Sequence, residues 1–413
     1  MNMRLLTLFL ASCILTALTL GKKQKQELIS RNRKYEDDVK YWSIQNNIDF
    51  SGQLRKSFFV DSALSAPNEN TVCSPLSALM PLGKLALGAE ESTLEELLRA
   101  IGITKQSMIS ETFKPMIALL RHLPGGKLDI ASKIYVPINS HIYKKFDDES
   151  KAIFDYSVKK MDFEFPTFVA QQINSWVSLQ TNGVIKDIIS SSDVLPSTSL
   201  ILINAVYFSG KWNKAFETFK NVTFYAPNSQ KILTMMSHTS EYNYTKSKSL
   251  EAEIIKIPYK GNSAEFVIVL PISRTGLPLL LNQLKLSPGI LEYAMNNMLP
   301  MMTELTIPKF KIESDLNLNE MYLKLGVKQI FEKSHSQLTK IVRDETMYVT
   351  TAKHKAFIDV HEYGTEAGAS SGVVGSKLSS PEKITFQADH PFLFFIIVKG
   401  QQLFSGTYVN PNN

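Results

Sequence analysis

Residues 200–212 read LILINAVYFSGKW, and this stretch is the clearest structural signal in the chain. Its first nine residues, Leu200 to Phe208, are apolar except for Asn204. β-Branched and aromatic residues followed by a Ser-Gly pair predict a β-strand. The rest of the fold can be assigned outward from this strand.

Further strand-like runs lie mostly after it, whereas helical spacing lies before it. The runs are Phe266–Leu270, Ala356–Val360 and Phe392–Val398. Apolar residues recur at helical spacing at Leu94, Leu97, Leu98 and Ile101, and again at Met116, Leu119, Leu120 and Leu123, before Pro124. Because helices precede most strands and alternating βαβ units are absent, the pattern predicts one α+β domain.

A long connection separates two of the predicted strands. It runs from Tyr363 to Lys383, between the strand ending near Val360 and the next beginning near Ile384. Connections longer than about 12–15 residues are uncommon in compact domains and are usually functional. This one consists mainly of small residues and carries no charge between Glu366 and Lys377. We therefore interpret it as a functional loop.

The first part of the chain predicts export. Arg4 precedes an uncharged, leucine-rich run from Leu5 to Leu20, so residues 1–21 resemble a signal peptide. The run is short for a membrane span, which needs about 20 apolar residues. Residues 22–45 form a basic, polar extension, and residues 46–413 form the predicted domain. We expect a secreted, extracellular protein without membrane association.

Composition excludes some functions. The chain is 44% apolar and 20% charged, which is typical of a globular protein. A net charge of +6 is too mild for a nucleic-acid binder. Of the two cysteines, Cys13 lies in the signal, so Cys73 alone remains and no intramolecular disulfide forms. We interpret Cys73 as a small buried hydrophobe, with pairing to another chain as the alternative.

One sequence motif resembles that of a catalytic serine, but the residues around it do not suit that role. Residues 368–372 read GASSG and fit G-x-S-x-G, but no helical pattern follows, as a nucleophile elbow requires. The downstream histidine, His390, directly follows Asp389, and adjacent residues are not expected to form a Ser–His–Asp relay. Metal-binding and nucleotide-binding motifs are also absent from the sequence. We expect no enzymatic activity and no cofactor.

Several motifs together resemble the serpin family, in family order from about Asn46 to Pro411. They are Ser74-Pro75-Leu76-Ser77; Asn174-Ser175-Trp176-Val177 with Thr181-Asn182-Gly183; Asn204-Ala205-Val206-Tyr207-Phe208 with Gly210-Lys211-Trp212; Ile307-Pro308-Lys309-Phe310; His354-Lys355-Ala356; Gly364-Thr365-Glu366-Ala367; and Phe386 with Ala388-Asp389-His390-Pro391-Phe392. One departure is Val184, which stands where the family usually has a lysine.

The resemblance implies a fold of three β-sheets and eight or nine helices with an exposed reactive loop, here about residues 362–383. A target protease cleaves the loop, whose hinge side then inserts into the main sheet as a new strand. The covalently attached acyl-enzyme is distorted, so its hydrolysis stalls. Serpin loop insertion is also a standard example of strand addition and of stored strain. The implied partner is therefore a protease held in a covalent complex, and the inhibitor itself is expected to be a monomer.

The resemblance also assigns roles to residues. The hinge comprises Glu362, Gly364, Thr365, Glu366, Ala367 and Ala369. Lys309 occupies the position that pairs with Glu362, near Trp212, where the sheet first opens. Ser74, Ser77, Asn204 and His354 match a polar cluster that controls the parting of the sheet; alternatively, these are buried polar groups that merely satisfy one another.

The loop has the alternation that an inserted strand needs. One series, from Thr365 through Ala367 and Ala369 to Gly375, is small and uncharged, and Glu366 falls in the opposite series. The loop glycines weaken a strand, and inhibitory members of the family have more alanine in the hinge. Both features favour slower insertion of this loop. A non-inhibitory serpin that binds or stores a ligand is therefore retained as an alternative, as is cross-class inhibition of a cysteine protease.

The family interval from Gly364 places the reactive bond between Leu378 and Ser379. Leu378 would select a chymotrypsin- or elastase-like protease. A shift of one residue gives Lys377–Leu378 and a trypsin-like target. Two sequons, at Asn221 and Asn243, predict glycosylation. The sequence does not identify the target protease, the tissue or a polyanion cofactor.

Overall fold

The computed structural model describes residues 60–65, 67–121, 126–156, 158–262, 264–287, 289–343, 345–364 and 383–411. These residues form helices and strands that pack as an α+β fold. The helices are α1 (Val60–Ser65), α2 (Pro75–Leu87), α3 (Glu91–Ile101), α4 (Met108–Arg121), α5 (Lys144–Phe154), α6 (Pro166–Gln180), α7 (Leu277–Leu286), α8 (Gly289–Asn296) and α9 (Leu318–Lys324). No helix in this part of the chain is long and apolar enough to span a bilayer.

Fourteen strands accompany them in the same residues. They are β1 (Thr71–Cys73), β2 (Gly126–Pro137), β3 (Lys159–Met161), β4 (Leu200–Gly210), β5 (Thr218–Ala226), β6 (Ser229–Ser247), β7 (Ala252–Pro258), β8 (Ala264–Pro271), β9 (Leu299–Ile307), β10 (Phe310–Asn317), β11 (Val349–Val360), β12 (Ile384–Gln387), β13 (Phe392–Val398) and β14 (Gln401–Tyr408). β11 ends at Val360 and β12 begins at Ile384, which confirms the predicted ends of the two strands that flank the long connection.

The strands form a five-stranded sheet and a nine-stranded sheet. The larger sheet has the order β1-β14-β13-β8-β7-β6-β9-β12, with β5 paired to β6 beside this path. The five-stranded sheet has the order β10-β11-β4-β2-β3. In the larger sheet, the long strand β6 pairs with β5 through residues 229–237, with β9 through residues 236–244 and with β7 through residues 243–247. Counting the strands on either side of β6 as separate sheets gives three sheets in all, the number that the resemblance implies.

Strand β4 is buried on both faces, which explains its nearly unbroken apolar run. Its even-numbered residues, such as Leu202 and Val206, belong to the core that includes helix α2. Its odd-numbered residues, such as Ile201 and Ile203, pack in a second core with helix α6. All eleven residues of the strand are buried. Asn204 is even-numbered, so the two-residue period of a strand places it on the α2 side.

Candidate functional site at the junction of β4 and β11

The centre of the five-stranded sheet is a parallel pair. Strands β4 and β11 run in the same direction, with His354 opposite Asn204 and Phe357 opposite Tyr207. Their outer neighbours are antiparallel, because β2 pairs antiparallel with β4 and β10 antiparallel with β11. A strand running in the reverse direction would therefore be antiparallel to both β4 and β11 if it entered between them. We call this pair the junction.

The chain reverses direction immediately after β11. The His361 amide donates to the Gly364 carbonyl over 2.9 Å, and the Gly364 amide donates to the His361 carbonyl over 3.1 Å. Gly364 also forms an antiparallel bridge with Lys211, just beyond the end of β4. The first residue after the turn is thus bridged to both strands of the junction.

Only glycine fits at position 364. Its φ of 135° is outside the range that L-residues readily adopt. A Cβ atom there would overlap the carbonyl oxygen of Gly210 and lie 2.6 Å from the Cα of Lys211. Neighbouring backbone bonds fix the turn further: Trp212 donates to the Tyr363 carbonyl over 3.1 Å, and Phe216 to the Glu362 carbonyl over 2.9 Å.

An aromatic and charged cluster surrounds this turn. The buried Trp212 ring stacks on Tyr259, with ring centroids 4.5 Å apart, and its Nε1 donates to the His361 carbonyl over 2.8 Å. Lys309 lies at the start of β10, and its Nζ is 3.5 Å from the Glu362 carboxylate. These side chains join β11, β10 and the end of β4 at the Gly364 end of the junction.

A buried polar cluster lies midway along the junction. Ser74 caps helix α2, and its Oγ accepts from the Ser77 amide over 3.4 Å. The Asn204 amide group donates to the Ser77 carbonyl, and the Ser74 amide donates to His354 Nε2 over 3.5 Å. The four side chains are no more than 1% exposed. They connect α2 to both strands of the junction, so the strands cannot separate without rearranging these bonds.

Burial keeps His354 neutral. It lowers the pKa of the imidazole to about 3. Because Nε2 accepts the Ser74 amide proton, the ring proton lies on Nδ1. Among the described residues, neither His354 Nδ1 nor Asn204 Oδ1 has a hydrogen-bond partner. The cluster is therefore only partly satisfied in this arrangement.

An ion pair that no sequence pattern indicates lies beside the polar cluster, on the side away from Gly364. Asp193 forms a 2.7 Å ion pair with Lys353, and its carbonyl accepts from Thr351 Oγ1 over 2.9 Å. A cavity of about 580 Å³ lies between residues 187–193 and the first residues of β11. The ion-paired residues are 160 positions apart, so no sequence pattern joins them. The motif residue Asn174 holds this segment, accepting from the Ile188 and Ile189 amides over 3.0 and 3.1 Å.

Most of the predicted loop lies outside the described residues. This applies to Thr365, Glu366, Ala367 and Ala369 and to the proposed bond residues Lys377, Leu378 and Ser379. The description resumes at Lys383, whose Nζ is 2.6 Å from the Glu304 carboxylate on β9. Hydrogen bonds from Lys220 and Lys383 lower the pKa of Glu304 to about 2.

The two predicted glycosylation sites, Cys73 and Val184 all lie within the described residues. Asn221 on β5 and Asn243 on β6 are exposed, as acceptors for glycosylation must be. Cys73 on β1 is 5% exposed, and burial raises the pKa of its thiol to about 12. This thiol is therefore inert at neutral pH. The unusual Val184 is partly buried and packs against the core beneath α6.

Asp389 and His390, the adjacent residues considered above for a catalytic relay, contact each other, with His390 Nδ1 2.7 Å from the Asp389 carboxylate. The other ring nitrogen, Nε2, lies 2.7 Å from the Pro271 carbonyl. Both nitrogens are thus occupied, and the pair joins β8 to β13 instead of facing a nucleophile. In the described residues no group of three or more His, Cys, Asp or Glu side chains could hold a metal ion.

The sequence and the fold match those of known proteins. The family model described as serpin (serine protease inhibitor) matches residues 45–411. This chain therefore belongs to the serpin family.

Relatives from insects are among the most similar proteins. Antichymotrypsin-2 of Bombyx mori is 34% identical over 355 residues, covering 85% of this chain and 94% of the relative. Antitrypsin of the same organism is 34% identical over 358 residues, covering 85% and 91%. Among solved structures, Serpin48 of Tenebrio molitor, described as highly specific, has a TM-score of 0.79 at 26% identity, covering 89% of this chain and all of that one.

Proposed function

We propose that this chain is a secreted protease inhibitor that traps its target by inserting the cleaved loop into the junction of β4 and β11. The observation that carries the proposal is the position of Gly364. It is bridged to Lys211 on one side and to His361 on the other, at the head of a parallel pair. A strand that led from Gly364 along the junction would be antiparallel to both β4 and β11, which are parallel to each other.

The loop has a suitable length for this insertion. Strand β11 contains 12 residues. A strand of equal length that begins at Thr365 ends at Ser376, two residues before the proposed reactive bond. Insertion along the whole of β11 would therefore bring Leu378, with any protease attached to it, to the end of the sheet opposite Gly364.

The loop side chains suit the environment of the junction. One face of a strand inserted in this sheet would meet the α2 side, as the even-numbered residues of β4 do. Alternate side chains would therefore face packed surroundings. The series that starts at Thr365 is small and uncharged, whereas Glu366 belongs to the other series. The insertion adds backbone hydrogen bonds on both edges of the new strand, which favours the cleaved, inserted state.

The trapping reaction uses the protease's own chemistry. The nucleophilic oxygen of the protease attacks the carbonyl carbon of Leu378, and the C–N bond to Ser379 breaks. The proton from the nucleophile passes to the nitrogen of Ser379, which becomes a new N-terminus, while Leu378 remains as an ester. Water would normally hydrolyse that ester, but insertion pulls the protease against the sheet and distorts its catalytic site.

Leu378 favours an apolar specificity pocket. Burying a leucine side chain is worth roughly 1.5–3 kcal/mol, so chymotrypsin- and elastase-like enzymes are the preferred targets. The names antichymotrypsin-2 and antitrypsin of the two Bombyx relatives point to two different pockets. A bond at Lys377–Leu378 would instead suit a pocket with a carboxylate at its base.

The direct test is incubation with chymotrypsin, elastase, trypsin and a cathepsin-type cysteine protease. We expect a complex with chymotrypsin or elastase that survives SDS, and a released peptide whose N-terminus is Ser379 by mass spectrometry. Leu378→Arg is the matched variant, and it should form the SDS-stable complex with trypsin instead of chymotrypsin or elastase. An N-terminus at Leu378 would reassign the target to trypsin-like enzymes, and a complex only with the cysteine protease would establish the cross-class alternative.

Failure to form any complex, with the loop cleaved and released by every protease, would overturn the inhibitory proposal. It would favour the alternative of a binding or storage serpin. Glycosylation at Asn221 and Asn243 and a monomeric state complete the proposal for the secreted protein. Peptide mapping of protein from the culture medium tests both sequons, and sedimentation tests the monomer.

A further inference from the structure

Two buried polar atoms of the junction have no hydrogen-bond partner among the described residues. They are Oδ1 of Asn204 on β4 and Nδ1 of His354 on β11. Asn204 is fully buried and His354 is 1% exposed, so bulk solvent does not reach either side chain. Buried polar groups are normally hydrogen-bonded, and an unpaired one destabilises the state that contains it. The two atoms therefore favour any state of the junction that supplies their missing bonds.

The two atoms need partners of opposite kinds. Asn204 Oδ1 is an acceptor, because the amide nitrogen of the same side chain donates to the Ser77 carbonyl. His354 Nδ1 carries the ring proton and is a donor, because Nε2 accepts from the Ser74 amide. A hydroxyl group both donates and accepts. One hydroxyl placed between the two residues can therefore satisfy both atoms.

The turn after β11 fixes which loop residue would lie opposite His354. Gly364 forms an antiparallel bridge with His361. Along a regular antiparallel pair, each step forward in one strand is matched by one step back in its partner. Ser371 lies seven residues after Gly364, and His354 lies seven residues before His361. A strand that led from Gly364 along the junction would thus place Ser371 opposite His354.

The bridge on the other side of Gly364 gives the same result independently. Gly364 is also bridged to Lys211, and Asn204 lies seven residues before Lys211. The same strand would therefore place Ser371 opposite Asn204. The two counts are consistent, because Asn204 lies opposite His354 in the parallel pair of β4 and β11.

The side chains of such a strand suit this register. Residues directly opposite each other in an antiparallel pair point to the same face of the sheet. Ser371 would therefore share the α2 face with Asn204 and His354, about 4.8 Å from the backbone of each neighbouring strand. The uncharged Thr365 would lie opposite Val360, which is fully buried.

We propose that Asn204 Oδ1 and His354 Nδ1 form a site for the hydroxyl of Ser371 in the inserted strand. The hydroxyl accepts a hydrogen bond from His354 Nδ1 and donates one to Asn204 Oδ1. This inference rests on the proposed insertion and adds the residue that fixes the register of the new strand.

The neighbouring serine, Ser370, provides a matched control. In the same register Ser370 lies opposite Lys355 on the other face of the sheet, where the lysine already pairs with Glu313 at 2.7 Å. Its hydroxyl therefore does not contribute to the site. A shift of the strand by one residue would exchange the roles of Ser370 and Ser371.

The test uses labelled synthetic peptides with the sequence of residues 365–376, annealed to the whole secreted protein. The Ser371→Ala peptide should dissociate about tenfold faster than the unaltered peptide, because loss of the hydroxyl leaves two buried polar atoms unpaired. The Ser371→Thr peptide keeps a hydroxyl and should dissociate as slowly as the unaltered one. The Ser370→Ala peptide should dissociate at a rate within about twofold of the unaltered one.

A second measurement reports the hydrogen bond itself. In protein labelled with ¹⁵N at its histidines, the Nδ1 proton signal of His354 is identified by its loss in His354→Gln. The unaltered and Ser371→Thr peptides should move this signal downfield, and the Ser371→Ala peptide should not. A serine that only filled space would leave the signal in place.

The outcomes separate this inference from the insertion on which it rests. Equal dissociation of the unaltered and Ser371→Ala peptides, a larger effect of Ser370→Ala, or an unmoved His354 signal with the unaltered peptide would each overturn this inference alone. No binding of the unaltered peptide would overturn the insertion, and this inference with it.

Discussion

A Cβ atom on Gly364 would overlap the carbonyl oxygen of Gly210, so the turn after β11 fits against the end of β4 only because residue 364 has no side chain. This close approach lets Gly364 form an antiparallel bridge with Lys211. The geometry links a predicted hinge glycine to the place where the proposed strand would enter. It also allows the contact to be tested separately from backbone strain.

Gly364→Ala should destabilise the protein more than Gly183→Ala. Both glycines have positive φ, at 135° and 78°, but a Cβ on Gly183 meets no atom within 4 Å. Gly183→Ala should therefore cost only the backbone strain, about 1–2 kcal/mol. Gly364→Ala adds a backbone overlap and should cost at least about 1 kcal/mol more. Urea unfolding measures both, and equal losses would show that the close contact is not maintained in solution.

The ion pair between Asp193 and Lys353 should slow the entry of a strand into the junction. Asp193→Asn removes the pair that holds residues 187–193 to the start of β11. A synthetic peptide with the sequence of residues 365–376 should then anneal to the variant about twofold to fivefold faster, since a partly exposed pair is worth about 0.5–1 kcal/mol. Fluorescence of a labelled peptide gives the rate.

The control for this rate is Asp359→Asn. Asp359 pairs with Lys311 at 2.8 Å across β10 and β11, so this pair lies on the same sheet but does not cover the junction. The annealing rate of this variant should equal that of the unaltered protein. Equal acceleration of peptide annealing in the two variants would mean that general loosening of the sheet controls the rate, and not the ion pair between Asp193 and Lys353.

Local patterns predicted the strands and the long connection because their signals lie within a few residues. The run from Leu200 to Phe208 is apolar because β4 is buried on both faces, and β11 and β12 begin and end close to where the patterns placed them. The reactive loop and hinge roles came from resemblance, because no local pattern specifies a strand that forms only after cleavage.

Other features depend on contacts between distant residues and were not predictable. The ion pair between Asp193 and Lys353 and the hydrogen bond from Lys84 to the Ser132 carbonyl join segments that are far apart in sequence. Asp389 and His390 are adjacent and contact each other, but the orientation of the histidine also depends on the Pro271 carbonyl on another strand.

Lys84→Met should stabilise the protein and change how its stability varies with pH. Burial lowers the folded-state pKa of Lys84 on α2 to about 7, while an unfolded lysine titrates near 10.4. Between these values the unfolded state binds more protons, so the lysine contributes a cost that grows as the pH falls from about 10 to 7. The methionine variant should be more stable by about 2 kcal/mol or more at pH 7, with a smaller difference at pH 10.

Chemical unfolding of this variant at pH 7, 8.5 and 10 provides the measurement. Lys114→Met on α4 is the control, because Lys114 is exposed. That variant should follow the pH dependence of the unaltered protein. If the free energies of unfolding of Lys84→Met and the unaltered protein differ by the same amount at all three pH values, then Lys84 is solvated and its pKa is not lowered in the folded state.

Thr365→Arg should convert the inhibitor into a substrate. Thr365 follows Gly364 and would be the first side chain of the inserted strand to face the packed interior, where an unpaired charge is very costly. Glu366→Arg is the matched control, since residue 366 belongs to the opposite, solvent-facing series. With chymotrypsin, Thr365→Arg should yield cleaved protein without a complex on SDS gels, whereas Glu366→Arg should still form the complex. A normal yield of complex with Thr365→Arg would exclude insertion along this series.

The central claim is that cleavage allows the loop to become a new strand between β4 and β11. Thermal unfolding before and after limited cleavage between Val373 and Ser380 tests it most directly, because an inserted strand completes the sheet and releases stored strain. The account predicts that the cleaved protein melts at a sharply higher temperature than the intact one, with both fragments remaining associated. An unchanged or lower melting temperature after complete cleavage would contradict the account.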